Sequence, residues 1–116
     1  MFYLQNPGAI FFVAVQQSIL LGYIAGSQGH RGWHGTARIE SIAVLTVART
    51  RGIGWNLMRR FLQEARRRGR RRVTLEVAEA NERAIQFFSI QGFKPVCRLA
   101  AYYGARYDGL RMTRNL

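Results

Sequence analysis

The feature that most constrains this chain is a change of hydrophobic period at residues 49–54, RTRGIG. Before it, TARIESIAVLTV (36–47) alternates and then becomes apolar throughout, as a strand does when it enters a covered sheet. After it, Trp55, Met58, Phe61, Leu62 and Ala65 fall at helical spacing, and Arg59, Arg60, Glu64, Arg66 and Arg67 face elsewhere. RVTLEVAE (72–79) then resumes a strand pattern. Strand, helix and strand in that order pack as a crossover between parallel strands, and such crossovers are right-handed.

The flanks extend this unit. AIFFVAVQ (9–16) and ILLGYIAG (19–26) read as a hairpin across a Gln17–Ser18 turn, and SQGHRGWHG (27–35) as a loop. Gly69 is a stop for the first helix. Asn81 is an N-cap for NERAIQFFSIQ, which Gly92 can end. FKPVCRLAAYY (93–103) and RYDGLRMT (106–113) read as two last strands. The order is β-β-β-α-β-α-β-β. The class is α+β, or mixed α/β, with a mostly antiparallel sheet and one parallel crossover. The 116 residues suggest one domain, 1–116.

Composition narrows the setting. The single cysteine, Cys97, excludes an intrachain disulfide framework and is expected as a small buried hydrophobe. MFYLQNPG lacks the basic n-region of a targeting signal. The apolar stretch from Ala9 to Gly26 is broken by Gln16, Gln17 and Ser18, so no membrane span is expected and the cytoplasm is the default location. His30 and His34 lie among glycines with no third ligand nearby, so no metal site is expected. The net charge is +12, from 18 basic and 6 acidic residues, which favours anionic partners. All the basic residues except Lys94 are arginine, which coding bias explains equally well. RRRGRRR (66–72) reads first as a solvated, dipole-matched helix end and second as an RNA or ribosome contact.

RTRGIG sits where a strand hands over to a helix. The first amides of a helix have no internal partners, and glycines allow the backbone to approach a ligand closely. Such a turn can bind an anion, most naturally phosphate, with Arg49 and Arg51 adding charge-assisted bonds. It is not a P-loop, since no GK[ST] follows. It is a poor dinucleotide fingerprint, since Leu57 stands where a third glycine belongs. A tight structural turn with no ligand is the competing reading.

Two segments in register carry a family resemblance. IAVLTVARTRGIGWNLM resembles the acetyl-CoA motif of the GNAT N-acetyltransferases: Arg49, Gly52 and Gly54 match its Gln/Arg, Gly and Gly/Ala positions. LEVAEANERAIQFFSIQGF resembles the second family segment through Asn81, Ala84, Phe87, Gly92 and Phe93. AYY followed by DGLRM is similar to the ending of the branch that acetylates protein N-termini, including the ribosomal-protein alanine acetyltransferases. The resemblance covers about residues 36 to 113 and is weaker over the hairpin. It lacks the strand and two helices with which the family usually begins, so the chain is expected to be N-terminally shortened, with an edge at 9–16 open to a second chain, such as another copy.

The resemblance implies acetyl-CoA as acetyl donor. Its pyrophosphate would lie at Arg49, Thr50, Arg51, Gly52, Ile53 and Gly54. Its pantetheine arm would lie beside Ile42, Ala43 and Val44, between splayed strands, and would touch Asn81 and Phe88. The acceptor would be a protein N-terminal amine, or else a lysine or small amine, with Tyr102 and Tyr103 lining its slot. Transfer needs a neutral amine, so a base helps. Glu76 matches the position that supplies it, with Glu40 as understudy; an arginine-paired glutamate without a catalytic role is the alternative. Phe88 departs from the family, which usually has a tyrosine there to protonate the leaving thiolate. Phe88 and the shortened beginning keep open a catalytically impaired coenzyme A-binding or partner-binding remnant, and the charge keeps open a basic ribosome- or RNA-associated module.

Overall fold

The computed structural model describes residues 7–29, 35–102 and 108–116, and Thr50 through its backbone alone. The elements are β1 (Ala9–Gln16), β2 (Ile19–Ser27), β3 (Thr36–Val44), a 3-10 helix (Thr46–Arg51), α1 (Ile53–Arg67), β4 (Arg72–Ala78), α2 (Glu82–Ile90), β5 (Lys94–Leu99) and β6 (Gly109–Asn115). The strands form one six-stranded sheet in the order β1-β2-β3-β4-β6-β5. Every neighbouring pair is antiparallel except β3–β4, which is the parallel pair spanned by α1. This is the mixed α/β architecture and element order that the sequence implies.

The expected hairpin forms through Gln17 and Ser18, at φ 51 and 66. That left-handed pair matches the strand twist, but neither residue is the glycine that adopts it freely. In α1, Ile53, Leu57, Met58, Phe61, Leu62 and Ala65 make one buried stripe against β1, β2 and β3. Gly26 is required there, since a Cβ on it would stand 2.9 Å from the Phe61 ring and closer still to the Arg38 carbonyl oxygen. Both helices close at the expected glycines: the N–H of Arg70 donates to Ala65 O, and the N–H of Phe93 donates to Phe88 O, each at 3.0 Å.

The sheet's two faces differ. Ile10, Ile24, Ala37, Ile39, Val73, Leu75 and Val77 are buried in a common core with α1, Phe88 and Phe93. The alternate residues point to the other face, where Phe11 stacks on Tyr23 at 6.2 Å and the Tyr23 hydroxyl pairs with Ser41 Oγ at 2.8 Å.

Four expectations need correction. The third strand ends at Val44 rather than Val47, because the chain tightens into the 3-10 helix before α1. Trp55 is 52% exposed, and Ile53 and Leu57 take the core positions in that turn. Cys97 is exposed, as is nearly all of β5, the outer strand of the sheet. The last strands are shorter or shifted: β5 stops at Leu99, Tyr102 lies in the following turn, and β6 begins at Gly109. The expected loop histidines, His30 and His34, fall outside the described residues.

Candidate active site

The site begins where the two parallel strands part. β3 and β4 pair only over Thr36–Arg38 with Arg72–Thr74, although β3 continues to Val44 and β4 to Ala78. β2 and β6 hold the outer edges of this pair along its length, so the inner edges from Ile39 and Leu75 onward face an opening in the sheet. Unpaired backbone donors and acceptors in such an opening need a partner, and an extended amide-bearing arm supplies one. Ile42, Ala43 and Val44 lie on that stretch of β3. The Val44 carbonyl already accepts from Arg49 Nε at 3.2 Å.

At the top of the opening stands the entrance to α1. The Asn56 N–H donates to Gly52 O at 3.0 Å, the first rung of the helical ladder, so the amides just ahead of it stand at the mouth. Gly52 caps the helix at φ 75 with open space where a side chain would be. No acidic residue occupies the first turn of α1. Arg49 and Arg51 are exposed, and their bonds run to neutral groups: Val44 O for Arg49, and Gln16 Oε1 at 3.2 Å for Arg51. A helix entrance with two uncompensated guanidiniums and an empty glycine surface fits a pyrophosphate. The donor set therefore suits coenzyme A.

Across the opening lies Glu76. Its side chain is only 3% exposed although the residue as a whole is half-buried, so its exposure is at the backbone, on the open inner edge. Its carboxylate pairs with Arg38 through Oε1 and accepts from Arg111 Nε at Oε2, 3.1 Å. The Tyr102 hydroxyl stands 3.5 Å from Oε1. A carboxylate has about four lone-pair sites; these neighbours occupy three and leave one. Burial works to lower the Arg38 pKa, but its hydrogen bond to Tyr102 and the attraction of Glu76 outweigh that and raise it. Sequence reasoning missed Arg38 and Arg111. Their signal is alternation: both point to the face opposite α1, on the strands beside Glu76.

Tyr102 is placed by the turn after β5. Asp108 accepts from the Ala101 N–H at 2.8 Å, which holds its carboxyl below the usual range. Arg98 ties Asp108 to Glu79. The Tyr102 ring covers Gly109, where a Cβ would stand 2.9 Å from Tyr102 Cβ. Tyr103 lies outside the described residues, as does the Thr50 side chain. Glu40 is exposed on β3 and exerts an attraction on Arg38.

The second helix closes the site from the side of the core. The Asn81 side chain accepts the Ala84 N–H at 3.2 Å, the expected cap. Phe88 is 7% exposed and packs edge-on against Phe87 and Phe93, with centroids 5.5 and 5.9 Å apart. Gly54 meets this helix directly, since a Cβ there would stand 3.3 Å from the Phe87 ring. Its role is thus helix–helix approach as well as access to the entrance.

Comparison with known proteins agrees with this geometry. Residues 2–93 match the acetyltransferase (GNAT) family. The chain is 31% identical over 101 residues to N-alpha-acetyltransferase 30 of Schizosaccharomyces pombe, covering 86% of this chain and 67% of that protein. Its structure is similar to that of Ard1 from Thermoplasma volcanium, with TM-score 0.84 and 33% identity over 91% of this chain and 70% of that one. The Escherichia coli ribosomal-protein-S18-alanine N-acetyltransferase shares the fold, with TM-score 0.83 and 22% identity over 96% and 71% of the two chains. The opened parallel pair, the glycine-lined helix entrance and the matching sequence converge: this chain belongs to the GNAT family of acetyltransferases, enzymes that use acetyl-CoA as their acetyl donor.

Proposed function

We propose that the chain acetylates protein N-terminal amines, with Glu76 as the general base. The observation that carries this reading is the position of Glu76: a shielded carboxylate on the strand edge that faces the opening, beyond the last β3–β4 pair. Support for the acceptor class comes from the relatives named above, two of which carry N-terminal or alanine N-acetylation in their names. Acetyl-CoA supplies an acyl group activated as a thioester. Arg49, Arg51 and the amides at Gly52, Ile53 and Gly54 bind the pyrophosphate, with Thr50 between them. Ile42, Ala43 and Val44 offer backbone partners to the pantetheine, and Asn81 and Phe88 flank it. Arg38 and Arg111 fix the Glu76 carboxylate, whose remaining lone pair accepts the proton of the incoming amine, directly or through water. Tyr102 and Tyr103 border the acceptor slot. The same reading places the reaction in the cytoplasm, where an exposed thiol such as Cys97 stays reduced.

The test pairs two peptide sets with acetyl-CoA, read by mass spectrometry. One set has free N-termini and no lysine; the other has blocked N-termini and one lysine. Acetylation confined to the first set is expected, and equal or greater transfer to the lysine set overturns the acceptor assignment. Arg51→Glu should weaken acetyl-CoA binding by about tenfold or more, as loss of a charge-assisted bond does. Unchanged affinity by calorimetry removes the pyrophosphate assignment. Phe88 favours a second reading, a coenzyme A-binding protein without turnover. Tight acetyl-CoA binding with no transfer to any amine would select it.

A further inference from the structure

A clamp of three charged side chains lies just past the last β5–β6 rung, Leu99 with Gly109. The Arg98 guanidinium donates from Nε to Glu79 Oε2 at 2.6 Å and from Nη2 to Asp108 Oδ2. The other oxygen of the Asp108 carboxylate, Oδ1, accepts the Ala101 N–H at 2.8 Å. The Asp108 backbone carbonyl accepts the Glu79 N–H at 2.9 Å. Asp108 thus joins the chain just after β4, the end of β5 and the start of β6.

Stability does not account for this clamp. The Arg98 and Glu79 side chains are 64% and 46% exposed, and ion pairs so open to water contribute little. What needs holding is the backbone beside it. Ala101 stands at φ 54, a left-handed conformation that an L-residue adopts at a cost. It is the third residue of the turn from Leu99 to Tyr102, a place where positive φ calls for glycine. The bond that closes this turn, from the Tyr102 N–H to Leu99 O, is long at 3.4 Å. The Asp108 carboxylate supplies a shorter, charge-assisted bond to the strained residue itself. Strain held in place in this way is commonly found beside functional groups, and the next residue is Tyr102. Its hydroxyl stands 3.5 Å from Glu76 Oε1 and shares a hydrogen bond with Arg38. Its ring lies over Gly109, the residue after Asp108.

We propose that Arg98 and Asp108 are positioning residues for acetyl transfer: they hold Ala101 in its left-handed turn and so keep the Tyr102 hydroxyl on the Arg38–Glu76 pair, at the wall of the acceptor slot. The proposal rests on the reading of Glu76 as the base. Cutting the clamp should loosen the acceptor and leave the donor alone. The pyrophosphate entrance at Arg49–Gly54 is built by the 3-10 helix and the start of α1, which none of the clamp's bonds reach.

The experiment compares Arg98→Gln, Asp108→Ala, Tyr102→Phe and the double variant Arg98→Gln with Tyr102→Phe, each in the full chain. One arm does not depend on transfer: exchange of the Ala101 amide, followed by NMR. It should quicken by about tenfold or more in Asp108→Ala and by about threefold in Arg98→Gln, as a locally loosened turn does. The other arm is kinetics with a peptide that has a free N-terminus and no lysine. Arg98→Gln should raise the acceptor KM by about fivefold or more, with acetyl-CoA affinity held within about twofold. Because Arg98 acts through the Tyr102 hydroxyl, its effect should shrink to within about twofold in the Tyr102→Phe background. Unchanged Ala101 exchange in both clamp variants, faster exchange with an unchanged acceptor KM, an equal loss of acetyl-CoA affinity, or an Arg98→Gln effect as large without the hydroxyl as with it would each overturn the proposal. A parent chain that transfers acetyl to no amine would overturn the base assignment instead, and the exchange arm would still decide whether the clamp holds the turn.

Discussion

Glutamine at position 76 keeps the shape of the side chain and removes its charge. Arg38 and Arg111 then face a neutral acceptor from guanidiniums that are 29% and 38% exposed. Because both reach solvent, the loss of stability should be about 2–3 kcal/mol, short of a fully buried broken pair, as read by urea melts. As the base, Glu76→Gln should also slow transfer by about 10²-fold at neutral pH. Its rate should recover as pH rises past the α-amino range of about 7.7–8.0, where the acceptor is already neutral. A loss of stability with an unaltered pH–rate profile would make Glu76 a structural ion-pair partner only. Phe88→Tyr tests the opposite omission. Phe88 is packed against Phe87 and Phe93, so a hydroxyl there costs about 1 kcal/mol or more unless it reaches a partner. If it reaches the leaving thiolate, turnover should rise about tenfold at unchanged acetyl-CoA affinity; unchanged or lower turnover means another group or water already protonates the leaving thiolate. At this scale the sequence was readable where a residue acts on backbone close to it in the chain, as Asn81 and Gly52 do. It was not readable where partners come from distant strands: Arg38 and Arg111 lie far from Glu76 along the chain, and only the sheet register joins them.

Between elements, the clearest electrostatic joint is the C-terminal end of α1. Glu64 accepts from Arg67 and Arg68, and those hydrogen bonds lower its pKa from 4.5 to about 2. Arg68 also donates to Pro7 O at 3.0 Å and to Gln28 Oε1 at 3.2 Å, which ties the helix to the start of β1 and the end of β2. A carboxylate with a depressed folded pKa stabilises fully above its unfolded value and loses that contribution as pH falls through the folded one. Glu64 should therefore stabilise the fold above pH about 4.5 and cease to do so toward pH 2. Glu64→Gln should lower stability at neutral pH and flatten the acid limb of the melting curve between those values. An acid limb identical to that of the parent chain would show that the joint carries no stability. Element types were legible here because period decides them: the stripe on α1 and the alternation on β4 leave little choice. Boundaries were less so. Val47 continues the apolar run of β3, yet it is 81% exposed in the 3-10 helix, because the turn into α1 outweighs strand propensity. Trp55 matched the helical period as well as Met58 did, yet it faces water because Ile53 and Leu57 take the core positions in that turn.

For the molecule as a whole, the open question of assembly falls on β1. It is the first strand in the sheet order, and among the described residues no strand pairs with its outer edge. AIFFVAVQ contains no charge, proline or glycine, the devices that usually protect an edge. Val13 and Val15 are 48% and 57% exposed, and Ile19 and Leu20, across the turn, are 57% and 52% exposed. Edge pairing between two copies would cover this apolar surface and satisfy the free backbone groups together. Against it stands the net charge of +12, which makes two copies repel. Salt screens that repulsion over a Debye length of about 8 Å at physiological ionic strength and about 3 Å at 1 M. Self-association through β1 should therefore strengthen as salt is raised. Binding of an anionic contaminant through the arginines would weaken under the same change. Light scattering over a concentration series at low and high salt should show mass rising with both. Val13→Lys with Val15→Lys should return the molecule to a monomer, with acetyl-CoA affinity unaltered because the edge lies away from the opened strands. A chain that stays monomeric across the series, or one that dissociates as salt rises, would show that β1 is not a pairing edge.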